Sequence, residues 1–215
     1  MKTRNETDMN EQRENGKIGG LAESLVIAFS MYSRIPMPMV AWTEKGMKYA
    51  LCFFPAVGIA VGAAVAAFWQ LSRLLGLGDL SRLCVETALP LLITGGIHMD
   101  GFLDTVDARS SHQSRERKLE ILKDPHAGAF AIAGCGVYLL FYAAAFSELS
   151  PEAFPGIAGV FVMSRALSGY SVVTFPKAKK DGLVTAFAKG ASQAPAAVSG
   201  ILLCWLVGGF FWILL

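Results

Sequence analysis

The sequence has few charged residues, and this scarcity decides the class of protein. Asp, Glu, Lys and Arg make up 17% of the 215 residues, whereas soluble domains usually contain about 25%. Hydrophobic residues account for 53% of the chain, and the mean hydropathy is +0.47. This composition excludes a soluble domain of this size, so the sequence predicts an integral membrane protein.

Cysteine and histidine are also scarce, with four and three residues. The cysteines lie far apart in apolar runs, without a CxxC pair or a nearby histidine. This pattern argues against a zinc or redox site. We therefore interpret Cys52, Cys84, Cys135 and Cys204 as small buried hydrophobic residues.

The N-terminus lacks the charged, apolar and small-residue pattern of a cleaved signal peptide. The first apolar segment is therefore expected to remain in the mature protein. Residues 1–17 are polar, mixed in charge and without apolar periodicity, so we predict a disordered tail. Residues 18–215 are predicted to form a single membrane-embedded domain.

Long apolar runs fill the rest of the chain. Crossing a bilayer takes about 20 helical residues, and five runs approach or exceed this length: Tyr49–Leu75, Leu83–Met99, Gly128–Phe146, Pro155–Phe175 and Ala194–Leu215. The segment Ile18–Pro38 is interrupted by charges and closed by prolines, and it predicts an interfacial or partly buried helix ending near Ile35. Glu86 lies near one end of the second run and is expected to reach the membrane interface. The fold class is therefore all-α, a polytopic membrane bundle of about five to six membrane helices plus short interfacial helices.

The distribution of basic residues predicts the orientation in the membrane. If the spans alternate, eleven basic residues lie on one side: Lys45, Lys48, Arg109, Arg115, Arg117, Lys118, Lys123, Lys177, Lys179, Lys180 and Lys189. Only Arg73 and Arg82 lie on the other side. By the positive-inside rule, the eleven face the cytoplasm.

Three carboxylates follow the second apolar run, at Asp100, Asp104 and Asp107. On a helix, these spacings bring the three side chains within about 60° of one another. Like charges so close favour a bound cation, and an all-oxygen donor set suits Mg²⁺ or Mn²⁺ better than Zn²⁺. The alternative is a solvated helix face just outside the membrane.

Several other polar residues are candidates for binding anions. Arg165 lies within an apolar run, where a charge normally faces a protein interior or a cavity. Arg34 either binds an anion or extends to lipid head groups, and His98 either donates to phosphate or is structural. Residues 115–123 predict a short amphipathic helix in the loop after the three carboxylates. Its basic residues, among them Arg117 and Lys123, suit phosphates or anionic lipids equally well. Asp124 is a candidate fourth carboxylate.

Five separated blocks resemble one known family. The run TGGIHMDGFLDTVDA resembles the signature of cobalamin synthase, an adenosylcobinamide-GDP ribazoletransferase. The blocks FSMYSRIPMP, FFPAVGIAVG, RERKLEILKDPHAGAFA and MSRALSGYSVVTFPKAKKDGL match in the same order. The resemblance covers about residues 21–190.

The resemblance implies a Mg²⁺-dependent, multi-pass enzyme of the cytoplasmic membrane, with its active site on the cytoplasmic side. Such an enzyme joins adenosylcobinamide-GDP to α-ribazole or its 5′-phosphate and releases GMP. By similarity, Asp100, Asp104 and Asp107 bind metal, Lys123 and Asp124 lie in the same site, and Arg34 and Arg165 are functional positions. Asp107 is our candidate for the general base.

The same resemblance predicts the partners of the protein, and the sequence differs from the family pattern at two places. We expect lipid but no nucleic acid as a partner, and leave a homo-oligomer and contacts with pathway enzymes open. Ala108 stands where the family commonly has Gly, and family members continue beyond Leu215 into a glycine-rich TGD-type motif and a further helix. The alternatives are a CDP-alcohol phosphotransferase, whose acidic spacing does not match after Gly128, and a cation transporter, which would have carboxylates deep in several spans.

Overall fold

The computed structural model describes residues 20–177 and 182–214. The tail predicted at residues 1–17 and the basic residues Lys179 and Lys180 lie outside the described residues. Within the described residues, all regular structure is helical, which confirms the all-α prediction. The α-helices are α1 Leu21–Tyr32, α2 Glu44–Ala50, α3 Phe54–Leu74, α4 Asp79–Thr94, α5 Ile97–Ser110, α6 Arg115–Ile121, α7 Ala129–Ser147, α8 Ile157–Thr174, α9 Leu183–Ala191 and α10 Pro195–Leu214.

Four helical stretches in the described part of the chain are long and apolar enough to cross a membrane: Glu44–Leu74, Ala129–Ser147, Ile157–Thr174 and Pro195–Leu214. A fifth is counted if α4 and α5, which meet at a sharp bend, form one broken span. The chain is therefore a multi-pass membrane protein, as predicted. The number of spans is four to five, against the five to six that the sequence predicted.

The first long stretch is not one uniform helix. Between α2 and α3, residues Leu51–Phe53 form a 3₁₀ turn. Pro55 follows this turn and has no N–H to donate to the carbonyl four residues before it, which explains the local departure from α-helix. The Cys52 carbonyl accepts a hydrogen bond from Trp205 Nε1 at 2.9 Å, which ties α10 to this turn.

The predicted single span Leu83–Met99 is wrong in its extent. Helix α4 ends at Thr94, and α5 begins at Ile97 with its axis turned by 95°. The two residues between the helices, Gly95 and Gly96, have φ of 67° and 77°. Only glycine adopts this left-handed region without strain, so the Gly-Gly pair ends one helix and redirects the next. The three carboxylates consequently lie on a helix of their own.

The described residues group into two compact units, one formed by residues up to Gly62 together with those from Gly156 on, and the other by Ala63–Pro155. The first unit has a buried apolar core around Ile27, Leu51, Phe187, Val198 and Leu202. Tyr32 and Phe54 stack beside this core, with their ring centroids 4.0 Å apart. The prediction of a single domain remains a prediction.

Two glycines bring α3 and α8 into backbone contact within the first unit. A Cβ added at Gly58 would lie 2.6 Å from the Phe161 carbonyl oxygen, and one added at Gly62 would lie 2.5 Å from Ala158 Cα. The GxxxG pair therefore packs two helices of one chain, as small residues commonly do in membrane helices.

The loop expected after the fourth span contains α9, which the sequence analysis did not predict. Its Phe187 side chain is almost fully buried and lies 6.0 Å from the Trp42 ring. Gly190 approaches α2 so closely that an added Cβ would lie 2.6 Å from the Met47 carbonyl oxygen. This helix is short and contains glycine, which weakens its sequence signal.

Three smaller expectations need correction. Helix α1 ends at Tyr32 rather than near Ile35, and Ser33 has extended backbone geometry there. Only Cys52 is buried among the four cysteines, which are all free thiols. Glu86, which we expected to reach the membrane interface, is 2% exposed, and its carboxylate lies 3.8 Å from Arg82.

Candidate active site

Helix α5 carries all three predicted carboxylates. Asp100, Asp104 and Asp107 fall within its 14 residues, at the helical spacing that places them on one face. Asp100 is exposed, whereas Asp104 and Asp107 are partly buried. The prediction that the three residues share one helix is confirmed.

Helix α5 packs antiparallel against α7, as three contacts show. Asp107 reaches Gly128 at the start of α7, Val106 lies beside Gly134, and Phe102 contacts Tyr138. Residue numbers fall along α5 as they rise along α7, which defines the antiparallel order. An added Cβ at Gly134 would lie 3.1 Å from Val106 Cγ1, so the glycine allows this close approach.

Asp107 supplies the cap for the first turn of α7. Its Oδ2 accepts a hydrogen bond from the Gly128 N–H at 2.5 Å, and its Oδ1 accepts one from the Ala131 N–H at 2.8 Å. Gly128, the N-cap residue, has no side chain to do this. The first N–H groups of a helix have no partner within the helix, and the positive end of its dipole favours a carboxylate. Asp107 therefore connects the end of α5 to the beginning of α7.

The antiparallel packing places the three carboxylates at different levels along α7. Asp107 lies at its first turn, whereas Phe102 contacts Tyr138, the midpoint of the helix. Asp100 precedes Asp107 by seven residues, or about 10 Å along the α5 axis. The three carboxylates therefore form a row along α5, and Asp107 is the one that contacts the start of α7.

The donor chemistry of this face fits Mg²⁺. Among residues 20–177 and 182–214, no group of three or more His, Cys, Asp or Glu side chains is arranged to hold a metal ion. Mg²⁺ needs no such cage, because it commonly takes one or two carboxylates and completes its shell with water and phosphate oxygens. The assignment of Asp100, Asp104 and Asp107 as metal ligands stays a prediction. His98 also lies on α5 and is exposed.

The segment between α5 and α7 contains the predicted basic helix. Ser114 caps α6 by accepting a hydrogen bond from the Arg117 N–H at 3.4 Å. The exposed Arg117 guanidinium lies 2.6 Å from Glu120 Oε2. Lys123 follows α6 and is exposed.

Asp124 closes the turn that leads into α7. Its Oδ1 accepts a hydrogen bond from the His126 N–H and lies 2.9 Å from the His126 ring nitrogen. These two interactions, first the backbone N–H and then the ring, hold the pKa of Asp124 below its ordinary value. Asp124 is thereby kept as a carboxylate in this turn. Its role as a fourth ligand or a catalytic group stays a prediction.

The two remaining candidates, Arg34 and Arg165, belong to the other compact unit. Arg34 is exposed in the segment after α1. Arg165 is 7% exposed on α8, donates from Nη1 to the Phe161 carbonyl oxygen at 3.2 Å, and lies 5.5 Å from the Phe161 ring centroid. Its burial agrees with the expectation that a charge in this apolar run faces the protein interior.

The sequence analysis missed the role of Gly128. An added Cβ at this position would lie 2.8 Å from both Asp107 carboxylate oxygens. A helix that starts at glycine, without a capping side chain of its own, is the signal that its cap comes from elsewhere. Nothing in the spacing of the sequence identifies Asp107 as the residue whose carboxylate accepts these hydrogen bonds.

Comparison with known proteins gives one consistent result. A family model described as cobalamin-5-phosphate synthase matches residues 24–215. The adenosylcobinamide-GDP ribazoletransferase of Lachnoclostridium phytofermentans is 51% identical over 83% of this chain and 69% of its own length. Proteins of the same name from Clostridium botulinum and Treponema denticola are 33% and 31% identical, over 79% and 86% of this chain and 68% and 70% of their own lengths.

No solved structure matches the chain. The family match runs from α1 to the end of α10 and includes every helix described above. It extends beyond the blocks on which the sequence resemblance rested, which ended near residue 190. The chain therefore belongs to the cobalamin-5-phosphate synthase family.

Proposed function

We propose that this protein is an adenosylcobinamide-GDP ribazoletransferase of the membrane. It transfers the cobinamide phosphate of adenosylcobinamide-GDP to α-ribazole or its 5′-phosphate and releases GMP. The family match over residues 24–215 is the observation that carries this proposal. The carboxylate face of α5 supports it, because carboxylates can hold the metal ion that offsets the negative charge of a diphosphate.

The reaction breaks a phosphoanhydride bond and forms a phosphoester bond. A ribose hydroxyl oxygen of the acceptor attacks the phosphorus that bears the cobinamide alkoxide. The bond from that phosphorus to the bridging oxygen breaks, GMP leaves with this oxygen, and the hydroxyl proton passes to a base or to water. Mg²⁺, when bound, would neutralise charge on the diphosphate oxygens.

Asp100 and Asp104 are the residues that would hold the metal. They lie on the same face of α5, and Asp100 lies toward the middle of α7, where charged groups are costly unless they face protein or water. Binding of a metal ion would explain why carboxylates lie beside the middle of α7. Substrate phosphates would complete the metal shell.

Basic residues would bind the anionic groups of the substrates. Lys123 and Arg117 are exposed in the segment between α5 and α7, and Arg34 is exposed after α1. Arg165 is buried, with its guanidinium next to a carbonyl oxygen and an aromatic ring. We assign it to a substrate phosphate, because an ionisable residue within a membrane span normally marks a binding site or a pathway. His98 is a further candidate donor to phosphate.

The predicted orientation places this chemistry on the cytoplasmic side. Five basic residues lie shortly before α7, at Arg109, Arg115, Arg117, Lys118 and Lys123, whereas residues 148–156, which follow α7, contain no Lys or Arg. The positive-inside rule then assigns the start of α7, and Asp107 with it, to the cytoplasm.

Turnover by the purified protein in lipid nanodiscs tests the function. We expect GMP to form from adenosylcobinamide-GDP only when α-ribazole or its 5′-phosphate is present, and to stop on chelation of Mg²⁺. The corrinoid product should appear in the same amount as GMP. Release of CMP from a CDP-alcohol, or ion flux without nucleotide turnover, would reject the proposal in favour of the other two readings of the sequence.

A further inference from the structure

The three carboxylates of α5 look equivalent in the sequence, but the structure gives Asp107 a different environment. Each of its two oxygens accepts a backbone hydrogen bond from the first turn of α7, at 2.5 Å from Gly128 and 2.8 Å from Ala131. The partners are 21 and 24 residues away in the sequence. The side chain is therefore fixed by a helix other than its own.

This arrangement satisfies a requirement of α7. Its first N–H groups have no partner within the helix, and glycine at the N-cap offers none. A carboxylate that accepts two of these N–H groups provides charge-assisted hydrogen bonds and lies at the positive end of the helix dipole. The contact holds α5 at a fixed position along α7.

We propose that Asp107 is a positioning residue, not a metal ligand or a general base. The inference rests on the proposed function, because it assigns different roles to the carboxylates of that site. Asp107 fixes the position of α5 along α7 and thereby the positions of Asp100 and Asp104 beside that helix. Both of its carboxylate oxygens accept hydrogen bonds from the first turn of α7, so the side chain is directed at that helix. Asp100 and Asp104 are then the two carboxylates that meet the metal.

Gly128 allows the contact to be broken without altering any carboxylate. An added Cβ would lie 2.8 Å from both Asp107 oxygens and 2.9 Å from Cγ. The φ of Gly128 is −81°, which alanine adopts freely, so the effect of Gly128→Ala falls on Asp107. Gly136 of α7 is the matched control, because a Cβ there meets nothing within 4 Å.

The test compares Gly128→Ala, Asp107→Ala, Asp100→Asn and Asp104→Asn with Gly136→Ala in nanodiscs. The first readout is Tm in EDTA, where no metal contributes. We expect Gly128→Ala and Asp107→Ala to lower Tm by about 2–6 °C through loss of the cap. Asp100→Asn should keep or raise Tm, because it removes a like charge. Gly136→Ala should not lower it.

The second readout separates positioning from metal binding. Asp100→Asn and Asp104→Asn should raise the Mg²⁺ concentration for half-maximal turnover by about tenfold or more, since each removes a ligand. Gly128→Ala and Asp107→Ala should lower kcat about tenfold or more, because displaced reacting groups lose rate steeply. Their Mg²⁺ requirement should rise less than that of Asp100→Asn, because both proposed ligands are still present.

Two results would overturn the inference. One is an unchanged Tm in EDTA for Asp107→Ala and Gly128→Ala. The other is a rise in the Mg²⁺ requirement of Asp107→Ala as large as that of Asp100→Asn. If the wild-type protein releases no GMP, the proposed function fails, while the Tm comparison in EDTA still decides whether Asp107 caps α7.

Discussion

Single atoms decide how closely the helices of this protein approach. Gly58 and Gly62 let α3 contact the backbone of α8, and Gly128 leaves room for the Asp107 carboxylate. In lipid, helix association depends on such packing and on interhelical hydrogen bonds, because there is little hydrophobic gain between helices. Added methyl groups at these positions should therefore have large effects for their size.

Gly58→Ala should destabilise the protein. The new Cβ would lie 2.6 Å from the Phe161 carbonyl oxygen, a backbone atom that can move only with its helix. Overpacking of this kind costs about 1–3 kcal/mol. Thermal unfolding in nanodiscs should show a lower Tm, whereas Gly208→Ala, where a Cβ meets nothing within 4 Å, should not. Equal Tm values for the two variants would contradict the described packing of α3 on α8.

Asp124 should make the turn before α7 sensitive to acid. Its pKa lies below the ordinary 3.8, because the His126 N–H and then the His126 ring bind the carboxylate. Because the pKa is lowered in the folded protein, the ionised Asp124 carboxylate stabilises the turn at pH values above its ordinary pKa. This stabilisation is lost as the pH falls through the lowered pKa. Hydrogen exchange of the peptide around His126 should be faster in Asp124→Ala than in wild type at about pH 6.

That difference in exchange between wild type and Asp124→Ala should narrow as the pH falls below 3.8, the ordinary pKa of an aspartate. Exchange rates corrected for their intrinsic pH dependence provide the measurement. A difference that stays constant down to strong acid would show that the charge of Asp124 plays no part in the turn.

At the scale of elements, the Gly95–Gly96 junction determines where the carboxylates lie. It ends α4, turns the chain by 95° and starts α5, so that the acidic residues do not continue an apolar span. The physical cause is backbone conformation, because both residues have positive φ. A change in backbone preference alone should therefore disturb the site.

Gly96→Ala tests this junction against a matched control in the next helix. A Cβ at Gly96 or at Gly101 meets nothing within 4 Å, so the two positions differ in φ and not in available space. Gly96→Ala should lower stability by about 1–2 kcal/mol, because its φ of 77° strains alanine. Gly101→Ala should raise stability by up to about 1 kcal/mol through helix propensity. Thermal unfolding should show opposite shifts, and shifts of the same sign would contradict the assigned backbone geometry.

The sequence predicted most of the elements, and the exceptions have identifiable causes. Apolar length predicted the spans near Gly128–Phe146 and Pro155–Phe175, and helical spacing placed the three aspartates on one face, because both depend on local regularities. The bend at Gly95 was missed because glycines in an apolar run also suit close helix packing. Helix α9 was missed because burial of Phe187 against other helices, not propensity, stabilises it.

The candidate site was predictable in its residue types but not in its division of roles. Asp100, Asp104 and Asp107 are recognisable from charge and spacing. The cap that Asp107 provides depends on a helix that begins 21 residues later at Gly128, a distance that no local pattern spans. The burial of Glu86 was missed for the same reason, because Arg82 could equally have drawn it to the interface.

At the scale of the whole molecule, the central question is on which side of the membrane the site opens. With α4 and α5 counted together as one span, eleven basic residues lie in segments on one side of the membrane, against two on the other. Such a bias orients membrane proteins during insertion. The diphosphate substrate would then be bound from the cytoplasm.

Cysteine labelling tests this orientation. In a background without native cysteines, Gln113→Cys and Glu152→Cys place exposed thiols in the segments before and after α7. An impermeant maleimide should label position 152 in intact cells, and position 113 only after permeabilisation. The reverse pattern would place the carboxylate helix on the wrong side for the proposed substrates.

The measurement that tests the central claim most directly is Mg²⁺-dependent GMP release by Asp104→Asn beside Asp79→Asn in the same nanodiscs. Asp79 is the matched control, because its side chain is 92% exposed at the start of α4 and takes no part in the proposed site. The account predicts that Asp104→Asn loses at least about two orders of magnitude in kcat/KM at limiting Mg²⁺, while Asp79→Asn stays close to wild type. Full turnover by Asp104→Asn with an unchanged Mg²⁺ requirement would contradict it.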